Sequence, residues 1–326
     1  MSLQQRIFSI KNEQEFEKVA LEVFQYQYQN NAVYHDFCTY LKKDASSVKS
    51  LENIPFLPIE FFKSKKILDR NATHEDIFTS SGTTGSQVSK HYVKDLSIYE
   101  KSFLNGFEQF YGELEDHAVL ALLPAYLDRK RSSLVYMAND FIKKSNYPES
   151  GFYLNNLEEL SETLQSLEKR KIKTLLIGVS FALLDLAEEF PILLKNTIIM
   201  ETGGMKGRRK EMIRTELHEI LAEAFQVDQI HSEYGMTELL SQAYSQGHGI
   251  FSCPHHMHLL IRDPEDALSL LPQQKTGGIN VIDLANLHSC SFIATQDLGK
   301  QVGENEFEIL GRFDASDVRG CNLMVL

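Results

Sequence analysis

The sequence predicts an α/β protein of layered sheets, with a small β-rich subdomain toward the C-terminus. Two observations lead there. From residue 76 onward, short apolar runs alternate with amphipathic segments of helical period, which argues for a sheet with covered faces. After about residue 257 the pattern changes to short strands alone. Taken in order, residues 10–45 carry Phe16, Val19, Ala20, Val23 and Phe24 at helical spacing, with Glu and Lys on the other faces. Pro55 and Pro58 break any helix beyond them. Ala118–Leu123, Thr174–Gly178, Thr197–Met200 and Val227–His231 read as strands, and Asn156–Lys169, Phe181–Phe190 and Arg208–Phe225 as the helices between them. His258–Arg262, Ile279–Leu284, Ser291–Ala294 and Phe307–Leu310 read as the final strands. The expected organisation is a helical lead over 1–75 packed on the main body, an α/β core over 76–256, and a β-rich subdomain with a tail over 257–326.

Bulk properties exclude several classes. The 326 residues are 43% hydrophobic, enough for sizeable cores and for about two domains. A net charge of −12 argues against binding a nucleic-acid backbone. The one basic run, Lys206 to Lys210, reads as a solvated face, with a phosphate or partner contact as the alternative. The N-terminus lacks the apolar core of a signal peptide. The apolar stretches at 119–123 and 175–186 are too short or too interrupted to span a bilayer. Cys38, Cys253, Cys290 and Cys321 show no paired spacing and read as free thiols, so a cytoplasmic location is expected.

Two segments carry chemistry. Thr79 to Ser86 holds only hydroxyl side chains and two glycines. Such a segment cannot fill a core, but its backbone amides and hydroxyls can wrap an anion. It lacks the Gly-Lys-Ser/Thr ending of the common phosphate loop, because Ser86 and Gln87 follow Gly85. The plain alternative is a flexible surface loop. The second segment runs from Glu233 to Glu238. Tyr234 offers a flat face for a base, Gly235 a tight turn, Thr237 a hydroxyl, and Glu238 a hard oxygen suited to magnesium. Its alternative is a strand-to-helix turn with Thr237 as N-cap and Glu238 in the first turn.

Together these segments resemble the signature motifs of the acyl-adenylate-forming superfamily. Ser80 to Gly85 is similar to its Thr-Ser-Gly-Thr-Thr-Gly loop, and Tyr234 to Glu238 to its Tyr-Gly-x-Thr-Glu. Thr295-Gln296-Asp297-Leu298-Gly299 resembles its Thr-Gly-Asp-Leu-Gly, and Gly311-Arg312-Phe313-Asp314 its Gly-Arg-x-Asp. Gly203, Gly204 and Met205 stand where the family has a Gly-rich strand end. Most members continue well beyond the last motif into a small mobile domain that carries a lysine. This chain stops at Leu326, so that domain and its lysine are expected to be absent. A narrower likeness accounts for this. Asn53 to Lys63, the region from Phe24 to Tyr34, and Arg319-Gly320-Cys321 are similar to the LuxE-type acyl-protein synthetases, which end shortly after the same motif.

The resemblance implies the large-domain fold of these ligases, with ATP and magnesium as cofactors and a carboxylic acid, expected to be a fatty acid, as substrate. It assigns Ser80, Ser81, Gly82, Thr83, Thr84 and Gly85 to the β- and γ-phosphates, Thr237 to the α-phosphate and Glu238 to magnesium. Tyr234 with Gly235 meets adenine, Gly203, Gly204 and Met205 line the nucleotide and acyl pockets, and Asp297 and Arg312 hold the ribose. Thr84, Thr237 and Glu238 are the expected catalytic groups of the first step. Cys321 is that of the second, its thiolate favoured by Arg319; its alternative is a small buried hydrophobe. Tyr126, His231 and Met236 are expected at the acyl pocket. Cys253, His255, His256 and His258 look like zinc ligands, but on a strand they point to opposite faces, so zinc is not expected. An acyl reductase or carrier protein is the expected partner. Two other readings stay open: a stand-alone acyl-CoA or acyl-carrier ligase that borrows a partner domain, and a truncated, non-catalytic nucleotide- or acyl-binding protein.

Overall fold

The computed structural model describes residues 1–80, 87–124, 131–154, 156–203, 209 and 212–313. Its first part is helical: α1 (Leu3–Ile7), α2 (Glu13–Asn30) and α3 (Ala32–Tyr40). Asn31 separates the last two. Its extended backbone ends α2, and its side chain accepts from the Tyr34 amide to start α3. A two-residue strand β1 (Leu57–Pro58) and the short helix α4 (Phe61–Ser64) follow, then the hairpin β2 (Asp76–Thr79) and β3 (Lys90–Val93).

Next come α5 (Leu96–Tyr111), β4 (Ala118–Leu122), α6 (Ser133–Lys144), β5 (Gly151–Phe152), α7 (Leu157–Lys169), β6 (Thr174–Val179), α8 (Ser180–Glu189), β7 (Thr197–Thr202), α9 (Arg214–Phe225) and β8 (His231–Tyr234). Strands β5, β4, β6, β7 and β8 lie side by side in parallel. Every residue of β4 and β6 is buried, as a sheet covered by helices requires. The strand expected at 227–231 forms three to four residues later, at 231–234. The apolar residues Val227 and Ile230 instead pack under the α9 connection. The helix expected from Arg208 begins, among the described residues, at Arg214.

The same sheet continues antiparallel through β9 (Ala243–Ser245), β10 (Ile250–Ser252), β14 (Glu306–Arg312), β13 (Phe292–Gly303), β12 (Thr276–Asp283) and β11 (Met257–Arg262). With β1 pairing in parallel to β13, twelve strands form one sheet. Two cores result. One surrounds the parallel strands. The other joins residues 7–67 to residues 239–309, so the N-terminal helices cover the late strands. Gln27, fully buried on α2, fastens that joint: its side chain donates to Asn286 O, Leu287 O and Ser291 Oγ and accepts from the Ser291 amide.

Candidate active site

Ligands in open α/β sheets bind at the carboxyl ends of the parallel strands, and here Gly203 follows β7 and Tyr234 ends β8. In sequence, the Ser/Thr/Gly segment links β2 to β3. Ser80 N donates to Ser89 O at 3.2 Å and Ser89 N to Ser80 Oγ at 2.9 Å, which extends the ladder to the root of the loop. Ser80 is thereby placed; Ser81, Gly82, Thr83, Thr84 and Gly85 lie outside the described residues.

The turn after β8 is held against that root. His91 on β3 donates through Nδ1 to Thr237 O at 2.8 Å. Burial pushes His91 down to about 4, so near neutral pH the ring is uncharged. Asn286 donates to Glu238 O at 2.7 Å. Asp283, fully buried at the end of β12, accepts from the Leu240 and Ser241 amides at 2.7 and 3.1 Å and from Ser241 Oγ. No helix begins at Thr237, so the N-cap alternative does not apply: residues 235–241 form a turn anchored from β3 and β12. The Glu238 side chain is 6% exposed. Burial pushes its carboxyl up, opposed by a hydrogen bond from Ser89 and by the charges of Arg312 and Lys63. Met236 is partly buried against the second core.

The two late motifs meet by strand register. Asp297 on β13 stands opposite Arg312 on β14. Asp297 accepts from Tyr234 Oη at 2.7 Å and from Arg312 Nε at 3.2 Å, so each of its oxygens has a partner. The Arg312 side chain is 78% exposed and the Asp297 side chain 10%. The Tyr234 ring lies edge-on to Phe251, with centroids 6.2 Å apart. Tyr234, Asp297 and Arg312 are thus one hydrogen-bonded group joining the end of β8 to the β13–β14 hairpin. Segment 53–63 supports it from below. Leu57 and Pro58 pair with Ile293 and Ala294, and Gln296 donates to Glu60.

Gly203 follows the carboxyl end of β7, while His231 stands at the opposite, amino end of β8 from Tyr234. Gly203 adopts φ +72°, a conformation that favours glycine, and its carbonyl accepts from Ser180 Oγ at 3.0 Å. His231 lies 3.3 Å from Tyr111 Oη, and burial pushes it down to about 4. A Cβ at Gly235 would lie 2.3 Å from Glu233 Oε1 and 3.2 Å from Gln242 Cγ, so a larger residue there requires those side chains to shift.

The family model for Acyl-protein synthetase, LuxE matches residues 4–102. The long-chain-fatty-acid–luciferin-component ligase of Vibrio harveyi is 24% identical over 323 residues, spanning 92% of this chain and 84% of that protein. The protein of the same name from Photorhabdus luminescens is 34% identical over 76 residues, 22% of this chain and 65% of that one. The chain is similar to the LuxE acyl-protein synthetases. Solved structures give the fold. A 2-hydroxyisobutyryl-CoA ligase with 2-HIB-AMP and CoA matches with TM-score 0.64 at 12% identity, covering 94% of this chain and 72% of that one. ATP-bound MatB from Rhodopseudomonas palustris matches with TM-score 0.55 at 18% identity, covering 72% of this chain and 47% of that one, so the likeness spans about half of MatB. The LuxE-like chain has the fold of the acyl-adenylate-forming ligases.

Four further residues expected at the site, Gly204, Met205, Tyr126 and Cys321, lie outside the described residues. His256 is buried and bonded through Nε2 to Ser102 Oγ at 3.0 Å, while His258 packs between Phe16 and Phe307. Cys253 is buried in the second core. Among the described residues no group of three or more His, Cys, Asp or Glu side chains is arranged to hold a metal ion.

Sequence reasoning missed Glu233. It accepts from Thr202 Oγ1, and its carboxyl is raised to about 7, by burial first and by the charge of Glu201. No local pattern marks it, since the burial comes from neighbouring strands. A carboxyl raised in the folded state makes folding more favourable as pH falls from about 7 toward the ordinary value of 4.5. Glu233→Gln is therefore expected to add up to about 3 kcal/mol of stability at pH 8 and almost none at pH 4.5. Urea midpoints at the two pH values check this; equal shifts at both would count against a protonated Glu233.

Proposed function

We propose that this chain activates a fatty acid with ATP as acyl-AMP and then transfers the acyl group to a protein thiol. One observation supports the reading: His91 ties the strand at the root of the Ser/Thr/Gly loop to the Glu238 turn, and Tyr234, just before that turn, is bonded to the Asp297–Arg312 pair.

A carboxylate is a poor electrophile, and its attack on a phosphate brings two anions together. In the first step a carboxylate oxygen bonds to the α-phosphorus, the bond from that phosphorus to the bridging oxygen breaks, and pyrophosphate leaves. This needs positioning and charge neutralisation more than acid–base work. Ser80 to Gly85 would wrap the β- and γ-phosphates, Thr237 would meet the α-phosphate, Asp297 and Arg312 the ribose, and Tyr234 the adenine. Glu238 fits a magnesium ion: it is a buried carboxylate without an ion pair among the described residues, and magnesium commonly takes one or two carboxylates plus substrate phosphates. When bound, that ion would offset phosphate charge.

In the second step the Cys321 thiolate attacks the acyl carbonyl, the carbon–oxygen bond to phosphate breaks, and AMP leaves. The thioester would then pass to an acyl reductase or carrier protein. A cytoplasmic location suits this chemistry, and among the described residues no helix is long and apolar enough to cross a membrane. Incubation with ATP and radiolabelled tetradecanoate tests the reading. Wild type is expected to release pyrophosphate and acquire hydroxylamine-sensitive label, and Cys321→Ser to keep the first and lose the second. Label retained on Cys321→Ser would remove that cysteine from the mechanism.

A further inference from the structure

We propose that Arg262 is a positioning residue of the nucleotide site, setting the Asp297–Arg312 pair for the ribose hydroxyls. The role rests on the adenylation reading above and deepens it: Arg262 belongs to none of the motifs and stands on β11, with β12 between it and the strand that carries Asp297.

Asp297 lies where the ladder between β12 and β13 is interrupted. Asn280 stands opposite Ala294 and Gly278 opposite Leu298, so Thr295, Gln296 and Asp297 face Ile279 alone. A bulge of this kind re-aims side chains and takes backbone groups out of the ladder, and those groups need other partners. Arg262 meets two of them. It pairs in register with Gly278, and its guanidinium crosses over that glycine: a Cβ at 278 would lie 2.5 Å from Arg262 Cζ. From there it donates to Ile279 O at 2.7 Å and Asn280 Oδ1 at 3.0 Å on β12, and to Thr295 O on β13. Thr295 Oγ1 donates to the same Ile279 carbonyl at 2.9 Å and accepts from the Asp297 amide at 3.1 Å. The guanidinium also lies over the ring of Phe313, 5.6 Å from its centroid, and the Phe313 amide donates to Gln296 O at 2.8 Å. One planar cation thus holds both sides of the pair, the bulge that ends in Asp297 and the residue that follows Arg312. A fork of fixed donors with a stacking face can do this, and a point charge cannot.

Calorimetric titration of the full chain with ATP and with 2′,3′-dideoxy-ATP, both in the presence of magnesium, tests this, because the second lacks only the hydroxyls that the pair would hold. Wild type is expected to bind ATP about 10- to 100-fold more tightly than the dideoxy nucleotide. Arg262→Met is expected to shrink that ratio to within about threefold, by weakening ATP while leaving the dideoxy nucleotide nearly unchanged. A purely structural role would weaken both alike. Gly278→Ala keeps the arginine but drives its guanidinium off the bulge; only the far end of a flexible side chain must move, so this variant should fold and lose the same discrimination. It decides the matter should Arg262→Met fold poorly. Discrimination kept in a folded variant, or equal weakening of both nucleotides, overturns the positioning role. So does a wild type that binds the two nucleotides equally. A wild type that binds neither overturns the adenylation reading and the role of Arg262 with it.

Discussion

Glu238→Ala is expected to eliminate fatty-acid-dependent pyrophosphate exchange, a loss of about 10³-fold or more. The carboxyl sits where the β3 root of the Ser/Thr/Gly loop and the turn after β8 touch, and its backbone is fixed through Asn286 and, one residue before, through His91. Removing it takes away the hard oxygen that would hold the metal while leaving both anchors intact. Folding should not suffer. Burial already pushes this carboxyl up, so its ionised form costs free energy in the folded chain, and Glu238→Gln should be at least as stable as wild type. Lost exchange with kept stability would mark a catalytic role. Near-normal exchange in Glu238→Ala refutes the proposed placement.

Asp283→Ala should have the largest effect on stability, about 3 kcal/mol, with a fall in exchange beside it. Its carboxylate accepts from two buried amides and one buried hydroxyl, all on the strand-leaving side of the Glu238 turn. Truncation leaves Leu240 N and Ser241 N without acceptors in a place water does not reach, and an unpaired buried donor costs more than a hydrogen bond gains. Asp283→Asn keeps one acceptor oxygen and should lose roughly half as much. The check is a urea midpoint for each variant together with the KM for ATP. An unchanged midpoint in Asp283→Ala would show that the turn holds without this anchor.

The parts of the site legible in the sequence were those whose chemistry demands small or charged residues at fixed spacing. The Ser/Thr/Gly segment cannot fill a core, and the run from Tyr234 to Glu238 mixes a ring, a glycine, a hydroxyl and a carboxylate, so both stand out. The strands that carry the late motifs were harder. Ser291–Ala294 read as a whole strand, but β13 runs on to Gly303 through Gln296, Gly299 and Gln301, which are weak strand formers. It persists because β12 and β14 pair on either side, with a register shift at Leu298 and Gly299. Strands β9 and β10 are three residues each and carry no period to read. Strand β8 is polar and short, and the apolar residues just before it drew the expectation upstream. Glu233, named only as the start of its segment, drew no role for another reason: its burial and its Thr202 partner come from a neighbouring strand, which no local pattern encodes.

Strand β1 lies along β13, and Gln27 grips Asn286 to Ser291, a reach of 264 residues for the Ser291 contact. A nascent chain on the ribosome thus cannot bury its opening helices until nearly the last strand has emerged. Their apolar faces wait for that closure while the parallel strands assemble. Synthesis and folding are then necessarily staggered. The interval between them is when this protein is most open to a chaperone, and shortening the chain before β13 would strand the first helices without a surface to cover.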